Sequence, residues 1–273
     1  MSTALITGAS RGIGAVYADR LARRGYDLIL VARSAARLNA LAANLARETA
    51  RTVDVLPANL SDKADLAKVE ARLRQDRSIT MLVNNAGTAA ITPLVQSDVD
   101  EMVAMIDLNI TALTRLTYAA APAFAARGAG TIINIASVVG ISPEALNGVY
   151  GASKAYVLAL SHSLQHELAD KGVRIQAVLP GATATDIWEL AGRPWQQLPA
   201  GIVMSAEDMV DAALAGLDQG ERVTIPGLQD GEEWIRFEAA RRALAQRFGS
   251  SQPAPRYRFV TTARDVVPAD ILR

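Results

Sequence analysis

The sequence predicts an α/β fold, a doubly wound and mostly parallel seven-stranded sheet flanked by helices, and three observations predict it. Short, near-continuous Val/Ile/Leu runs recur along the chain, as in strands buried on both faces. Stretches with helical spacing separate them, and a glycine-rich turn follows the first run directly. In order, "ALIT" (4 to 7) reads as the first strand and "TGASRGIG" as the turn, with a helix from about Ile13. "DLILVA" (27 to 32) is the second strand, and Leu38, Leu41 and Leu45 mark the helix after it. "TVDVL" (52 to 56) is followed by Leu66, Val69 and Leu73, again one face of a helix. "MLVNNA" (81 to 86), "TIINIA" (131 to 136), "RIQAVL" (174 to 179) and "RVTI" (222 to 225) complete the set. Repeated strand, helix, strand argues for crossovers and a parallel sheet covered on both sides.

Lys plus Arg equals Asp plus Glu, 28 each in 273 residues, so no broad basic surface for nucleic acid or anionic membrane is expected. The absence of cysteine excludes disulfides, thiolate nucleophiles and Cys-based metal sites. No apolar run approaches the roughly 20 residues of a membrane span, and the N-terminal apolar stretch is too short for a signal-peptide core, so a cytoplasmic protein is expected. No linker composition interrupts residues 1–228, which read as one nucleotide-binding and catalytic domain. Residues 183–204 form one long irregular interval, the candidate substrate lid. Within 229–273, "EEWIRFEAARRALAQRF" reads as an amphipathic helix and the remainder as an extended tail, packed on the same domain or on a neighbouring subunit.

In the turn, Gly8, Gly12 and Gly14 allow close backbone approach, and the helix N-terminus offers free N–H groups and partial positive charge to a pyrophosphate. The spacing is G-x-x-x-G-x-G, not the common G-x-G-x-x-G, so a plain strand-to-helix turn stays open on this feature alone. The second strand ends in "VARS", where an acidic residue would hydrogen-bond the ribose 2′-hydroxyl of NAD. Ala32 and Arg33 stand there instead. Arg33, with Arg11 in the glycine turn, offers charge-assisted pairs to a 2′-phosphate and favours NADP(H). The competing reading makes Arg33 and Arg37 the solvated start of a helix.

Tyr150 and Lys154 lie four apart in a helix beginning near Tyr150 and share a face, whereas Tyr156 points elsewhere. Bringing a tyrosine from near 10 to near 7 requires about 4 kcal/mol. An ammonium about 5 Å away, at an effective dielectric near 20, supplies roughly 3 kcal/mol. Lys154 is therefore expected to depress the Tyr150 pKa and make it a general acid/base. By itself Y-x-x-x-K also fits a surface pair.

"TGASRGIG" (7 to 14), "NNAG" (84 to 87), Asn109 in "DLNIT", Ser137 in "NIASVVG", "YGASK" (150 to 154) and "PGATAT" (180 to 185) together resemble the short-chain dehydrogenase/reductase family, in order and approximate spacing across residues 3 to about 227. The resemblance implies a single-domain Rossmann-like fold and hydride transfer between a nicotinamide cofactor and a carbonyl or alcohol. It implies Tyr150 as acid/base, Lys154 on the nicotinamide ribose, Ser137 on the substrate oxygen, and Asn109 holding a water that relays protons from Lys154. Gly8, Ser10, Gly12, Ile13 and Gly14 would line the pyrophosphate, and Asn85, Ala86 and Gly87 the adenosine side. Pro180, Gly181, Thr183 and Thr185 would lie at the carboxamide. Where the family usually has Asp beside the adenine, this chain has Asn59, whose amide still offers hydrogen bonds. A homodimer or homotetramer is the implied assembly.

Ala89, Ala90 and Ile91, residues 141 to 146, and the lid residues Ile187, Trp188, Leu190 and Trp195 are expected to ring the nicotinamide, interrupted by Glu144, Glu189 and Arg193. A mostly apolar wall with one polar focus suits a small-molecule ketone or aldehyde with hydrocarbon or aromatic bulk. The alternatives are an NAD-dependent alcohol dehydrogenase of the same fold and a non-catalytic nucleotide-binding regulator. His162 and His166, four apart, lack the glutamate of H-E-x-x-H and read as a polar helix face or subunit contact; no metal is expected.

Overall fold

The computed structural model describes residues 2–257; the tail expected over the last part of the chain lies, from residue 258, outside the described residues. Two compact units are distinguishable, Met1–Gly227 and Leu228–Arg273. The first contains β1 (Thr3–Thr7), α1 (Gly12–Arg23), β2 (Asp27–Ala32), α2 (Ala35–Thr49), β3 (Val53–Pro57), α3 (Lys63–Gln75) and β4 (Ile79–Asn84). It continues with α4 (Val99–Ile106), α5 (Leu113–Ala126), β5 (Gly130–Ile135), α6 (Gly148–Glu167), β6 (Val173–Val178), the short α7 (Ile187–Leu190), α8 (Ala206–Asp218) and β7 (Val223–Thr224). Every apolar run of the sequence becomes a strand, shifted by no more than a residue or two at its ends.

All pairings are parallel, in the order β3-β2-β1-β4-β5-β6-β7. Because side chains alternate along a strand, the two faces build separate cores. Ala4, Ile6, Leu28, Leu30 and Val83 pack with Tyr17, Leu21, Leu38, Leu45 and Met209 on one face. Leu5, Ile29, Val31 and Leu82 pack with Leu66, Val69, Leu73, Leu116 and Phe124 on the other. Strand order reverses between β1 and β4, and the crevice outside the carboxyl ends of these strands is where such sheets place ligands.

In the second unit, α9 (Gly231–Ala245) replaces the amphipathic helix the sequence suggested. Its apolar residues do not share one stripe: Ile235 lies opposite Phe237 and Leu244, and all three are exposed.

Candidate active site

The glycine turn is shaped by what each residue's neighbours leave room for. Gly8 and Gly12 have φ of +67° and +52°, in the left-handed region. A Cβ on Gly8 would come within 2.8 Å of Asn85 Nδ2 and 2.9 Å of Ala86 Cα. Asn85 Nδ2 donates to the carbonyls of Thr7 (2.8 Å) and Gly8 (3.3 Å), so its amide fixes the turn from beneath. Thr7 Oγ1 receives the N–H groups of Asn85 and Ala86 and donates to Val83 O. The N-cap of α1 is Arg11, whose side chain caps nothing, whereas α2, α3, α4, α6 and α8 all begin on a capping side chain. The first N–H groups of α1 are thereby left to an anion.

A cleft of about 530 Å³ runs from this turn in both directions. Towards β2 and β3 its wall holds Arg33, Ser34, Arg37, Ala58, Asn59 and Ser61; towards β5 and β6 it holds Ser137, Tyr150, Lys154, Pro180, Gly181, Thr183 and Thr185. Gly8, Ser10, Arg11, Gly12, Ile13, Asn85, Ala86 and Gly87 form the middle. An anion-receptive turn between a basic end and a Tyr/Lys/Ser end fits a dinucleotide. Two expected site residues are outside the wall. Gly14 packs behind the turn, where a Cβ would meet Gly8 O at 2.4 Å. Asn109 sits behind Gly87, its Oδ1 accepting from Thr88 N (2.9 Å) and its Nδ2 donating to Thr88 O (2.9 Å) and Ser153 Oγ (3.1 Å). A π-helical turn, Asp107–Ala112, interrupts the helix there and turns Asn109 inward.

Arg11 lines the same cleft as Arg33 but is paired with an acidic residue. Its Nη1 donates to Asp186 Oδ2 at 2.9 Å, linking the glycine turn to the start of the lid. The 183–204 segment is closed at its base: Thr183 and Met204 form a parallel bridge, and Trp188 Nε1 donates to Thr183 O at 3.0 Å. A second cavity, also about 530 Å³, lies between the lid and residues 91–94 and 145–148. Ile91, Leu146, Trp188, Leu198 and Ile202 make it apolar, and Arg193 is the one charged residue in its wall among the described residues. Trp195 lines neither cavity, and of the stretch 141 to 146 only Ala145 and Leu146 reach this one.

Tyr150 and Lys154 share the buried face of α6, with Lys154 Nζ 5.8 Å from the Tyr150 ring centroid and donating to Ile135 O at 2.9 Å. Tyr156 turns away and meets Thr114 Oγ1 at 2.9 Å. Burial is stronger here than the sequence suggested, and it corrects the expected pKa. Loss of water raises the Tyr150 phenol to about 12, with the Ser137 hydroxyl pulling the other way. The same loss pushes Lys154 down to about 8. Burial thus works against the lowering expected from Lys154.

Sequence reasoning missed Asn147, a buried side chain that caps α6 and lines the second cavity. An Asn two residues before the first apolar position of a helix is a cap signature that was there to be used. It also missed Ser153, which donates to Tyr150 O at 2.8 Å and holds Asn109.

A family model for the short chain dehydrogenases matches residues 2–194. An uncharacterised oxidoreductase of Staphylococcus epidermidis is 33% identical over 223 residues, 81% of this chain and 93% of its own length. Among solved structures, a short-chain dehydrogenase from Sphingobium yanoikuyae in complex with NADPH is 50% identical, covers 94% of this chain and 100% of that one, and superposes with a TM-score of 0.92. The bulky-bulky ketone specific alcohol dehydrogenase from Comamonas testosteroni is 47% identical, with 94% and 98% covered and a TM-score of 0.87. Sheet order, glycine turn and the matches over most of the chain agree: the protein belongs to the short-chain dehydrogenase/reductase family, oxidoreductases that act on small molecules with a nicotinamide cofactor.

Proposed function

We propose that the protein is an NADPH-dependent carbonyl reductase for ketones carrying hydrocarbon or aromatic bulk, with Tyr150 as the acid. The observation that carries this reading is the meeting of Tyr150, Ser137 and Lys154 at the end of the dinucleotide cleft that faces the apolar cavity. The cofactor, when bound, supplies the hydride that reduces the carbonyl carbon. Tyr150 donates its phenolic proton to the carbonyl oxygen, Ser137 hydrogen-bonds that oxygen, and the Lys154 ammonium steadies the phenolate left behind. Ser137 Oγ donates its one proton to Pro180 O at 3.2 Å, a bond that the hydroxyl exchanges for one to the carbonyl oxygen when substrate binds. A phenol raised to about 12 keeps its proton throughout the neutral range, which suits reduction. Oxidation of the alcohol needs the phenolate, so its rate rises with pH into the alkaline range while reduction stays flat near neutrality.

Arg33, with Arg37, supports NADPH, since both arginines line the cleft beside Ser34 and Asn59, and no Asp or Glu is among the described residues that line that end. One charge-assisted bond contributes about 1.5–3 kcal/mol, so Arg33→Asp should cut the NADPH preference by roughly 10- to 100-fold; equal use of NADH and NADPH by the wild type contradicts the assignment. A panel of propiophenone, benzil, cyclohexanone, pentanal and xylose, followed by NADPH absorbance, tests the substrate class. Turnover confined to xylose overturns it. The bulky-ketone specificity of the Comamonas relative supports the same class. We also propose a homodimer or homotetramer through α4 and α5, where Val99, Val103, Ile106 and Tyr118 are exposed.

A further inference from the structure

We infer that Asn147 is a positioning residue that fixes the substrate wall against Tyr150. Its side-chain amide is saturated. Oδ1 accepts from Val149 N (2.9 Å) and Tyr150 N (3.3 Å), capping α6 at the residue that does the chemistry. Nδ2 donates to Thr92 O (2.6 Å) and Ser97 Oγ (3.2 Å), in the loop whose Pro93 and Leu94 wall the second cavity. Two lone pairs and two protons are all that an asparagine amide offers, and each is used inside the protein. Asn147 is 4% exposed, so although it borders the cavity its polar atoms have none left over for a substrate.

The geometry gives this amide a task that capping alone does not require. Serine or aspartate caps a helix as well as asparagine, but neither carries the pair of N–H groups that reach Thr92 and Ser97. Ser97 Oγ is itself bonded to the carbonyls of Thr92 and Pro93 (3.0 Å each), so the loop turns around one hydroxyl that Asn147 holds. The distance from the Tyr150 backbone to the 92–97 wall is therefore set through one side chain. A substrate carbonyl resting against that wall is presented to the phenol at a distance Asn147 determines, and misplacement by about 1 Å costs on the order of 100-fold in rate. Asn147 is absent from the dinucleotide cleft, so the same residue leaves the cofactor untouched.

The inference rests on Tyr150 as the acid, and the experiment separates the two. Asn147→Ser keeps the cap and loses the ties; Asn147→Asp keeps shape and cap and loses the donors. Both should hold NADPH affinity within about twofold while kcat/KM for the fastest-reduced ketone of the panel falls roughly 10- to 100-fold; Asn147→Ser should melt within several degrees of wild type, and Asn147→Asp, which sets a buried carboxylate against Thr92 O, should melt lower than Asn147→Ser. Ser97→Ala should lose less, and the double variant Asn147→Ser/Ser97→Ala should lose no more than Asn147→Ser alone, because both act through one loop. Hydrogen–deuterium exchange, which needs no turnover, should accelerate in residues 92–97 of Asn147→Ser and stay unchanged over residues 8–14. Unaltered exchange in 92–97, or kcat/KM within twofold of wild type while Tyr150→Phe is inactive, overturns the role of Asn147. Full turnover by Tyr150→Phe overturns the acid assignment instead, and the exchange measurement then still decides whether Asn147 holds the loop.

Discussion

Lys154 should cost the ligand-free protein stability, and Lys154→Met should recover it. An ordinary lysine titrates near 10.5, whereas Lys154, 7% exposed, is held at about 8 by burial. At about 1.4 kcal/mol per pH unit the gap corresponds to about 3 kcal/mol against the folded charged form. Losing the bond from Nζ to Ile135 O gives back about 1 kcal/mol. Methionine fills a similar volume, so a net gain of about 2 kcal/mol remains, roughly 4–8 °C for a unit of this size. The sign follows from linkage. With a folded pKa below the unfolded one, the cost is fully present below pH 8, and wild-type stability rises as pH goes from 8 to 10.5. The advantage of Lys154→Met over wild type should therefore be greatest at pH 7, shrink as pH rises above 8, and reverse to a deficit of about 1 kcal/mol near pH 10.5, where only the lost bond to Ile135 O remains. Calorimetry of both proteins at pH 7, 9 and 10.5 without nucleotide checks it. A variant less stable than wild type at pH 7, or a margin that does not change with pH, refutes the reasoning. If the proposed mechanism holds, turnover should be lost in the same variant, since it assigns the Lys154 ammonium to steadying the Tyr150 phenolate.

Gly14→Ala should cost about 1–3 kcal/mol by overpacking, because its Cβ would meet Gly8 O at 2.4 Å and Asn85 Nδ2 at 2.6 Å; urea unfolding measures the loss, and NADPH titration should show weaker binding as the turn shifts. Tyr17→Phe should match or exceed wild-type stability by about 1 kcal/mol, since the fully buried hydroxyl has no hydrogen-bond partner among the described residues; a loss of more than 1 kcal/mol in the same assay points to a buried water on that oxygen.

Much of the fold was legible in the sequence because the sheet is buried on both faces and each strand therefore shows as an apolar run. "DLILVA" and "TIINIA" give their strands within a residue. The Tyr150–Lys154 pair was legible for a similar reason: helical periodicity fixes a face, and the contact of Tyr156 with Thr114 confirms the other one. What spacing does not carry is depth. The expected lowering of Tyr150 used a partly wet site, and burial of both groups reverses the direction. Nor does spacing carry partners distant in sequence. Arg11 is separated from Asp186 by most of the sheet's connections and Asn147 from Thr92 by two helices, and only the folded chain brings these pairs together. Nor does residue type carry position: Trp188 and Trp195 are both aromatic residues of the 183–204 segment, yet its local turns bring Trp188 to the second cavity and leave Trp195 outside its wall.

The acid role of Tyr150 is tested most directly by single-turnover reduction of the best panel ketone with NADPH bound to wild type and to Tyr150→Phe. General acid catalysis contributes about 10²–10⁴-fold, so the variant should bind NADPH as tightly as wild type and reduce the ketone at least 100-fold more slowly. Reduction at the wild-type rate by a phenylalanine at this position contradicts the account.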